Sequence, residues 1–182
     1  MSNLSIREAS RGDASRLLEI YRPYVTDTTI TFEYEVPSLK EFTSRIEKIQ
    51  KRYPYLVCEK EGRIIGYAYG DTYMLRPAYD WCAEVSIYVD REERGKGAGR
   101  KLYEALFEEL RRMHVLNLYA VITSENEKSL EFHGKLGFET FAVFEKAGYK
   151  HGKWLDVTWM QKFLGEHKDC PERVVWAEER NL

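Results

Sequence analysis

Little cysteine, no long apolar run and no surplus of either charge mark this sequence. Its three cysteines, Cys58, Cys82 and Cys170, are odd in number and far apart, with no C-x-x-C pair. That spacing excludes a disulfide scaffold. Cys58 and Cys82 fall in strand-like segments and are expected to be packed, reduced thiols. No metal site is expected. No apolar run approaches membrane-spanning length, and Met1-Ser2-Asn3-Leu4 lacks the apolar centre of a secretory leader. The expected compartment is cytoplasmic, with no membrane partner. The 28 Lys and Arg against 30 Asp and Glu give a net charge of −2, which provides no basic footprint for nucleic acid. Repeats and low-complexity tracts are missing too. At 182 residues the chain reads as one domain, residues 1–164, followed by a charged tail, residues 165–182.

What is present alternates between two periodicities. Residues 4–7 alternate like a first strand. Asp13 is placed to N-cap a helix carrying Leu17, Leu18, Ile20 and Tyr21 and ending near Pro23. Residues 26–36, rich in Thr and aromatics, read as a loop or short extended piece. Ser38-Leu39-Lys40-Glu41 has capping-box spacing, and Phe42, Ile46 and Ile49 extend a helical stripe to about Lys51. Strands are expected over 55–59 and 64–70 around a short turn, and over 84–89, 116–122, 138–144 and 154–163, the last two as a closing antiparallel pair. Tyr67, Tyr69 and Trp159 alternate at strand spacing and read as core. A short helix over 129–136 is stopped by Gly137. The element order β-α-α-β-β-β-α-β-α-β-β predicts a mixed α/β sheet with helices on both faces.

The densest information lies in Glu84-Val85-Ser86-Ile87-Tyr88-Val89 and the run Arg94-Gly95-Lys96-Gly97-Ala98-Gly99 that follows it. The first half is a strand without a breaker; the second leads into a helix with Leu102, Tyr103, Leu106, Phe107 and Leu110 on one face. A strand that feeds a glycine-rich loop into a helix N-terminus makes an anion site, because unpaired N–H groups and the helix dipole point at the ligand. The dinucleotide fingerprint G-x-G-x-x-G fails at Arg100, and the P-loop pattern fails because Gly95-Lys96-Gly97 lacks the Gly-Lys-Ser/Thr step. R-x-x-G-x-G, from Arg94 to Gly99, remains.

This loop resembles the pyrophosphate loop of the GNAT superfamily of N-acetyltransferases, which use acetyl-CoA. Asn126-x-x-Ser129-x-x-x-His133-x-x-x-Gly137-Phe138 is similar to the second half of the acetyl-CoA site in that superfamily. With Tyr79-Asp80-Trp81-x-Ala83-Glu84 and His151-Gly152-Lys153-Trp154-x-Asp156-Val157, the chain resembles the phosphinothricin and methionine sulfoximine acetyltransferase branch from about Ile6 to Leu164. One departure is Arg100, bulkier than the small residue common there.

The resemblance implies a GNAT fold, a mixed and mostly antiparallel central sheet flanked by helices, and acetyl transfer to the α-amine of a small amino-acid-like substrate. An ammonium must lose a proton before it attacks a thioester, so a carboxylate or imidazole is wanted nearby. Glu84 is the first candidate base and His133 the second, with Tyr88 or water as a further acid. For acetyl-CoA, the backbone of Ile87, Tyr88 and Val89 is expected to pair with the pantetheine arm. The loop from Arg94 through Gly95, Lys96, Gly97, Ala98 and Gly99 to Arg100 is expected to hold the pyrophosphate, and Asn126 to contact the cosubstrate. Arg76 and Tyr79 are the acceptor-binding candidates, Arg76 as partner of a carboxylate or phosphinate, with Phe32 walling the side-chain pocket. The branch also implies a homodimer, with Tyr149 and Trp154 on an aromatic-rich surface. Two other readings stay open: a protein or polyamine acetyltransferase, against which Arg76 argues, and a catalytically idle CoA-binding domain, which would need neither Glu84 nor His133.

Overall fold

The computed structural model describes residues 4–180. Met1-Ser2-Asn3, part of the stretch read above as no leader, and the last two residues of the tail lie outside it. Seven strands, β1 (Leu4–Glu8), β2 (Tyr55–Lys60), β3 (Arg63–Thr72), β4 (Cys82–Val89), β5 (Asn117–Thr123), β6 (Glu139–Lys150) and β7 (Lys153–Phe163), form one sheet in the order β1-β2-β3-β4-β5-β7-β6. All neighbours run antiparallel except β4 with β5. Helices α1 (Ala14–Asp27) and α2 (Leu39–Gln50) cover one face, and α3 (Ala98–Arg112) with α4 (Glu127–Lys135) packs on the other. A single turn, α5 (Ala177–Arg180), ends the described chain. This is the mixed, mostly antiparallel α/β architecture expected above.

Two cores result, one per face. Leu102, Leu106 and Leu110 of α3 lie fully buried against Leu118 of β5 and Ala83 of β4. Each such leucine contributes about 1.5–3 kcal/mol by leaving water. On the opposite face Leu17, Tyr21 and Tyr24 of α1 and Ile46 of α2 pack on Tyr55, Val57 and Tyr67. Tyr67 is buried, whereas Tyr69 and Trp159 are only half-buried.

Two local expectations are corrected. The helix α1 does not end near Pro23 but runs through it to Asp27. Proline removes one i→i−4 hydrogen bond, yet Tyr24 and Val25 beyond it are buried, and their packing outweighs the missing bond. Asp13 does not cap that helix with its side chain. Its carboxylate takes Arg7 at 2.8 Å and the Ser10 amide at 2.6 Å, and the Arg7 hydrogen bond holds its pKa down to about 2. Ser38 caps α2 as its spacing predicted, accepting from the Glu41 amide at 3.2 Å.

The parallel pair at the centre positions the site. Only Cys82, Ala83 and Glu84 pair with Asn117, Leu118 and Tyr119; beyond Glu84 the two strands separate. β4 remains zipped to β3 along its whole length, from Ala83↔Thr72 to Val89↔Gly66. The opening therefore lies between β4 and β5, and Glu84 stands where it begins.

Candidate active site

The opening is a cleft of about 60 Å³ between Ser86, Ile87 and Tyr88 of β4 and Ala120 to Thr123 of β5, with His133 and Tyr103 among its lining residues. At Ile30 and Asn126 it adjoins a shallow depression of about 400 Å³ walled by Asp27, Glu125, His151 and Lys153. Backbone left unpaired inside a sheet asks for another strand-like partner. Val89 is already served: the Tyr24 hydroxyl accepts from its amide at 3.0 Å and donates to its carbonyl at 2.6 Å. Ile87 and Tyr88, unlike Val89, line the cleft itself.

Beyond β4 the loop Arg94–Arg100 enters α3. Gly97 is the N-cap of that helix at φ 91°, and Gly95 sits at φ 75°, both in the left-handed region where a Cβ would strain the chain. A Cβ added at either would meet nothing within 4 Å, so the loop leaves open space rather than packing on its neighbours. Gly97 supplies no side-chain cap, which leaves the first amides of a 15-residue helix, from Ala98 to Arg100, aimed at that space. Gly99 faces inward; a Cβ there would lie 3.3 Å from Phe132 of α4. The charges expected to help are partly engaged elsewhere. Lys96 donates to the Glu92 carbonyl at 2.7 Å, Arg100 pairs with Glu104 at 2.8 Å, and the Arg94 guanidinium lies 4.8 Å over the Tyr24 ring. Asn126 caps α4 through the Ser129 amide and borders the cleft.

Glu84 shares its strand face with Ser86 and Tyr88 by alternation and sits opposite Asp71 in the β3–β4 ladder. Burial, and then the charge of Asp71, raises its pKa above the ordinary glutamate value. A carboxylate so shifted is a stronger base than a solvated one. Ser86, its ladder neighbour on that face, is bonded by the Tyr69 hydroxyl, whose own pKa burial pushes up to about 12. Asp71 had no motif to announce it; only strand register pairs it with Glu84.

His133 is in a different state. It is 3% exposed, and each ring nitrogen has a partner: Nδ1 lies 2.8 Å from the Ser129 carbonyl and Nε2 3.0 Å from the Tyr103 hydroxyl. A carbonyl only accepts, so Nδ1 carries the proton and Nε2 accepts from Tyr103. Burial lowers the pKa to about 4, against the opposing effect of the Ser129 bond. The imidazole is neutral near pH 7, with both nitrogens occupied. Tyr88, the other acid considered, is held as a phenol by burial among Tyr69, Tyr21, Tyr55 and Tyr24.

The acceptor candidates lie on two loops. Tyr79 touches Tyr73 edge to face at 6.0 Å, and Tyr73 stacks at 4.2 Å on Tyr119, the ladder partner of Glu84. This aromatic chain ties the Arg76–Tyr79 turn to the base. Arg76 is exposed, with no carboxylate partner among the described residues, whereas nearby Arg52 is paired with Asp80. Phe32 packs instead over Gly148 of β6, where an added Cβ would collide with its ring. The loop carrying Phe32 is pinned by a residue that sequence reasoning missed. Lys150 is 2% exposed and donates to the carbonyls of Val25 and Thr31 at 2.8 and 2.7 Å. Its only sequence signal was a lysine closing a strand. Among the described residues no group of His, Cys, Asp and Glu is placed to hold a metal ion, and no helix is long and apolar enough to cross a membrane.

Comparison with known proteins adds a family. Residues 6–159 match the family model for the acetyltransferase (GNAT) domain. The phosphinothricin N-acetyltransferase of Streptomyces viridochromogenes is 34% identical over 159 residues, 87% of each chain. The L-methionine sulfoximine/L-methionine sulfone acetyltransferase of Salmonella typhimurium is 34% identical over 165 residues, covering 90% of this chain and 96% of that one. Among solved structures, a GNAT superfamily phosphinothricin acetyltransferase from Sinorhizobium meliloti in complex with acetyl-CoA superposes with a TM-score of 0.91 at 36% identity, covering 98% of this chain and 97% of that one.

The state of His133 has a consequence for stability. Above pH 6.5 the imidazole is neutral folded or unfolded; below it the unfolded chain takes up a proton that the folded chain refuses until about pH 4. Stability should therefore fall by about 3 kcal/mol between pH 6.5 and 4 from this group alone. Urea titrations across that range should show a shallower fall in His133→Gln than in the unchanged chain. Equal slopes would mean that the imidazole is protonated in the fold.

Proposed function

The chain belongs to the acetyltransferase (GNAT) family, and from that premise we propose which of its residues hold the acetyl donor, take the proton and select the amine. It is an acetyl-CoA-dependent N-acetyltransferase. Its acceptor is the α-amine of a small amino acid or analogue of the phosphinothricin, methionine sulfoximine or methionine sulfone kind. The single observation that carries the assignment of roles is the parting of β4 from β5 at Glu84, beside a glycine loop that opens α3.

The residues present fit the donor. Open space over Gly95 and Gly97 and the amides of Ala98, Gly99 and Arg100 suit a pyrophosphate, with Arg94 and Lys96 adding positive charge. The strand edge at Ile87 and Tyr88 suits an amide-bearing arm lying as an extra strand, with Val89 reached through Tyr24, and Asn126 stands at the rim. When bound, acetyl-CoA supplies the acetyl group as a thioester. Glu84, raised in pKa and placed where the strands part, takes the proton from the acceptor ammonium, directly or through one water. His133, the second candidate, keeps the Tyr103 hydroxyl directed at the cleft wall while neutral. Arg76, with no carboxylate partner among the described residues, receives the acceptor's carboxylate or side-chain anion, with Tyr79 on the same turn, while Phe32 stands apart over Gly148. A cationic polyamine would meet Arg76 as a like charge. The same reading includes a cytoplasmic location and a homodimer; the dimer is supported by Phe141, Val143, Phe144, Tyr149 and Trp154, which leave apolar surface exposed on β6 and the start of β7.

Substitutions at Gly97, Glu84, Asp71 and Arg76 test these roles, by calorimetry with acetyl-CoA and by a CoA-release assay over amino acids, sulfoximines, sulfones and polyamines. Gly97→Asp puts a side chain and a negative charge on the phosphate side of the loop. Calorimetry should then show acetyl-CoA binding weakened by more than about tenfold, and unchanged affinity in the folded variant would remove the loop assignment.

Glu84→Gln should lower turnover on the order of 10²-fold with acetyl-CoA affinity intact. Because the base works ionised and its pKa is raised, the acid limb of kcat/KM should lie above the ordinary glutamate range. Asp71→Asn removes one cause of the shift and should move that limb to lower pH. A limb that stays in place in Asp71→Asn would take Glu84 out of the proton path.

Arg76→Ala should raise the acceptor KM by roughly 10- to 150-fold, the equivalent of a charge-assisted bond of about 1.5–3 kcal/mol. Lysine should rescue it only in part, lacking the forked geometry. Equal kinetics for methionine sulfone and its decarboxylated amine would instead favour the polyamine or protein acceptor.

A further inference from the structure

The chain beyond β7 lies outside the family match, which ends at residue 159, and it does not trail into solvent. It returns along one side of the sheet and closes on the segment just before β4. The Leu164 amide donates to the Leu116 carbonyl and the Val175 amide to the Met113 carbonyl, at 2.8 and 3.0 Å. Val174 is buried in the α3-side core. Trp176 then lies edge to face on Tyr53 at 5.5 Å and beneath the Arg52 guanidinium at 3.8 Å, while the Arg52 carbonyl accepts from the Ala177 amide.

Two of these contacts reach the acceptor loop. The Trp81 indole N–H donates to the Glu172 carbonyl at 2.8 Å, and Arg52, held over Trp176, bridges at 3.2 Å to Asp80. The Trp81 carbonyl in turn accepts from the amides of Leu116 and Asn117, which begins the parallel pairing that ends at Glu84. The loop itself has little to hold it. Met74 and Leu75 are exposed, Leu75 by 91%, and the Arg76 guanidinium has no carboxylate partner among the described residues, although its carbonyl accepts from the Tyr79 amide at 2.9 Å. Its course is set at its two ends: Tyr73 stacked on Tyr119 at one, Asp80 and Trp81 at the other. The second end is fastened by the tail.

We propose that residues 172–176 form a strap that fixes the Arg76–Glu84 segment, and that Trp176, Arg52 and Trp81 are positioning residues for the acceptor amine. They touch neither reactant; they set where Arg76 presents its guanidinium relative to Glu84. This deepens the reading of Arg76 given above and rests on it. A small shift of a binding group costs rate steeply when the reacting atoms must be aligned, so a loosened loop is felt in the acceptor's KM before the fold fails.

The test uses the full chain with Trp176→Ala, Trp176→Phe and Trp81→Phe, the last removing one donor while keeping an aromatic ring. Trp176→Ala and Trp81→Phe should raise the acceptor KM about tenfold, with kcat altered less than about twofold and acetyl-CoA affinity by calorimetry unchanged. Trp176→Phe, which still offers Arg52 and Tyr53 an aromatic face, should restore most of that KM. Amide hydrogen exchange over residues 76–84 should quicken in Trp176→Ala and stay unchanged in α3. A folded Trp176→Ala with a lower melting temperature but an unmoved KM makes the strap merely structural and overturns the proposal, as does an equal loss of kcat and acetyl-CoA affinity. If Trp176→Ala does not fold, Trp81→Phe decides by the same readouts. If the unchanged chain acetylates none of the amino-acid analogues, the acceptor reading fails by itself. Exchange then decides the strap: quickened exchange confined to 76–84 supports it, and unchanged exchange overturns it.

Discussion

Three residues of parallel pairing hold the two parts of this sheet together, and the rest of the site depends on where that pairing stops. Cys82, Ala83 and Glu84 bond to Asn117, Leu118 and Tyr119, and then the strands part. A sheet does not open at its centre without provision for the backbone groups it exposes. Here β4 stays zipped to β3 on its other side, Tyr24 satisfies both polar groups of Val89, and α3 and α4 close the floor through Tyr103 and His133. The cleft is thus a built feature of the sheet, opening just beyond Glu84, where the parallel pairing ends.

Burial then assigns protonation states around that cleft. Glu84 is pushed toward its neutral form by desolvation and by Asp71 across the ladder, which makes it a better proton acceptor when ionised. His133 is pushed the other way along the same principle and is neutral. Two groups of opposite charge type are both driven toward neutrality by the same low-dielectric surroundings, and only the carboxylate gains basicity by it. Lys150 is desolvated too, yet two carbonyls receive its ammonium, so it serves as a fastener for the loop of Phe32. The glycine loop needs no such compensation, because its charge complement comes from backbone dipoles and from a ligand.

Much was legible from local pattern. The α3 stripe, the Ser38 cap on the Glu41 amide, the closing β6–β7 pair and the glycine loop each depend on residues close in sequence, and each appears in the fold. The misread places had a competing contact outside the helix itself. Asp13 looked like a helix cap until Arg7 claimed it, and Pro23 looked like a stop until the burial of Tyr24 and Val25 carried the helix past it. Arg100 and Lys96, grouped with the loop by position, divide their charge with neighbouring acids.

By itself the sequence determined the order of the elements, the anion-ready entry to α3 and the presence of an acid at the head of the central strand. These follow from periodicity, turn chemistry and motif spacing, all of which act over a few residues. The tertiary structure alone decided the pairing of Asp71 with Glu84, the burial that neutralises His133, the Tyr24 plug on Val89 and the return of the tail to Trp81 and Arg52. The physical reason is separation along the chain. Tyr24 and Val89 are 65 residues apart, Trp81 and Glu172 are 91 apart, and Lys150 reaches back 125 to Val25. No local propensity encodes such contacts; they exist only once the sheet has set its register and the two cores have packed.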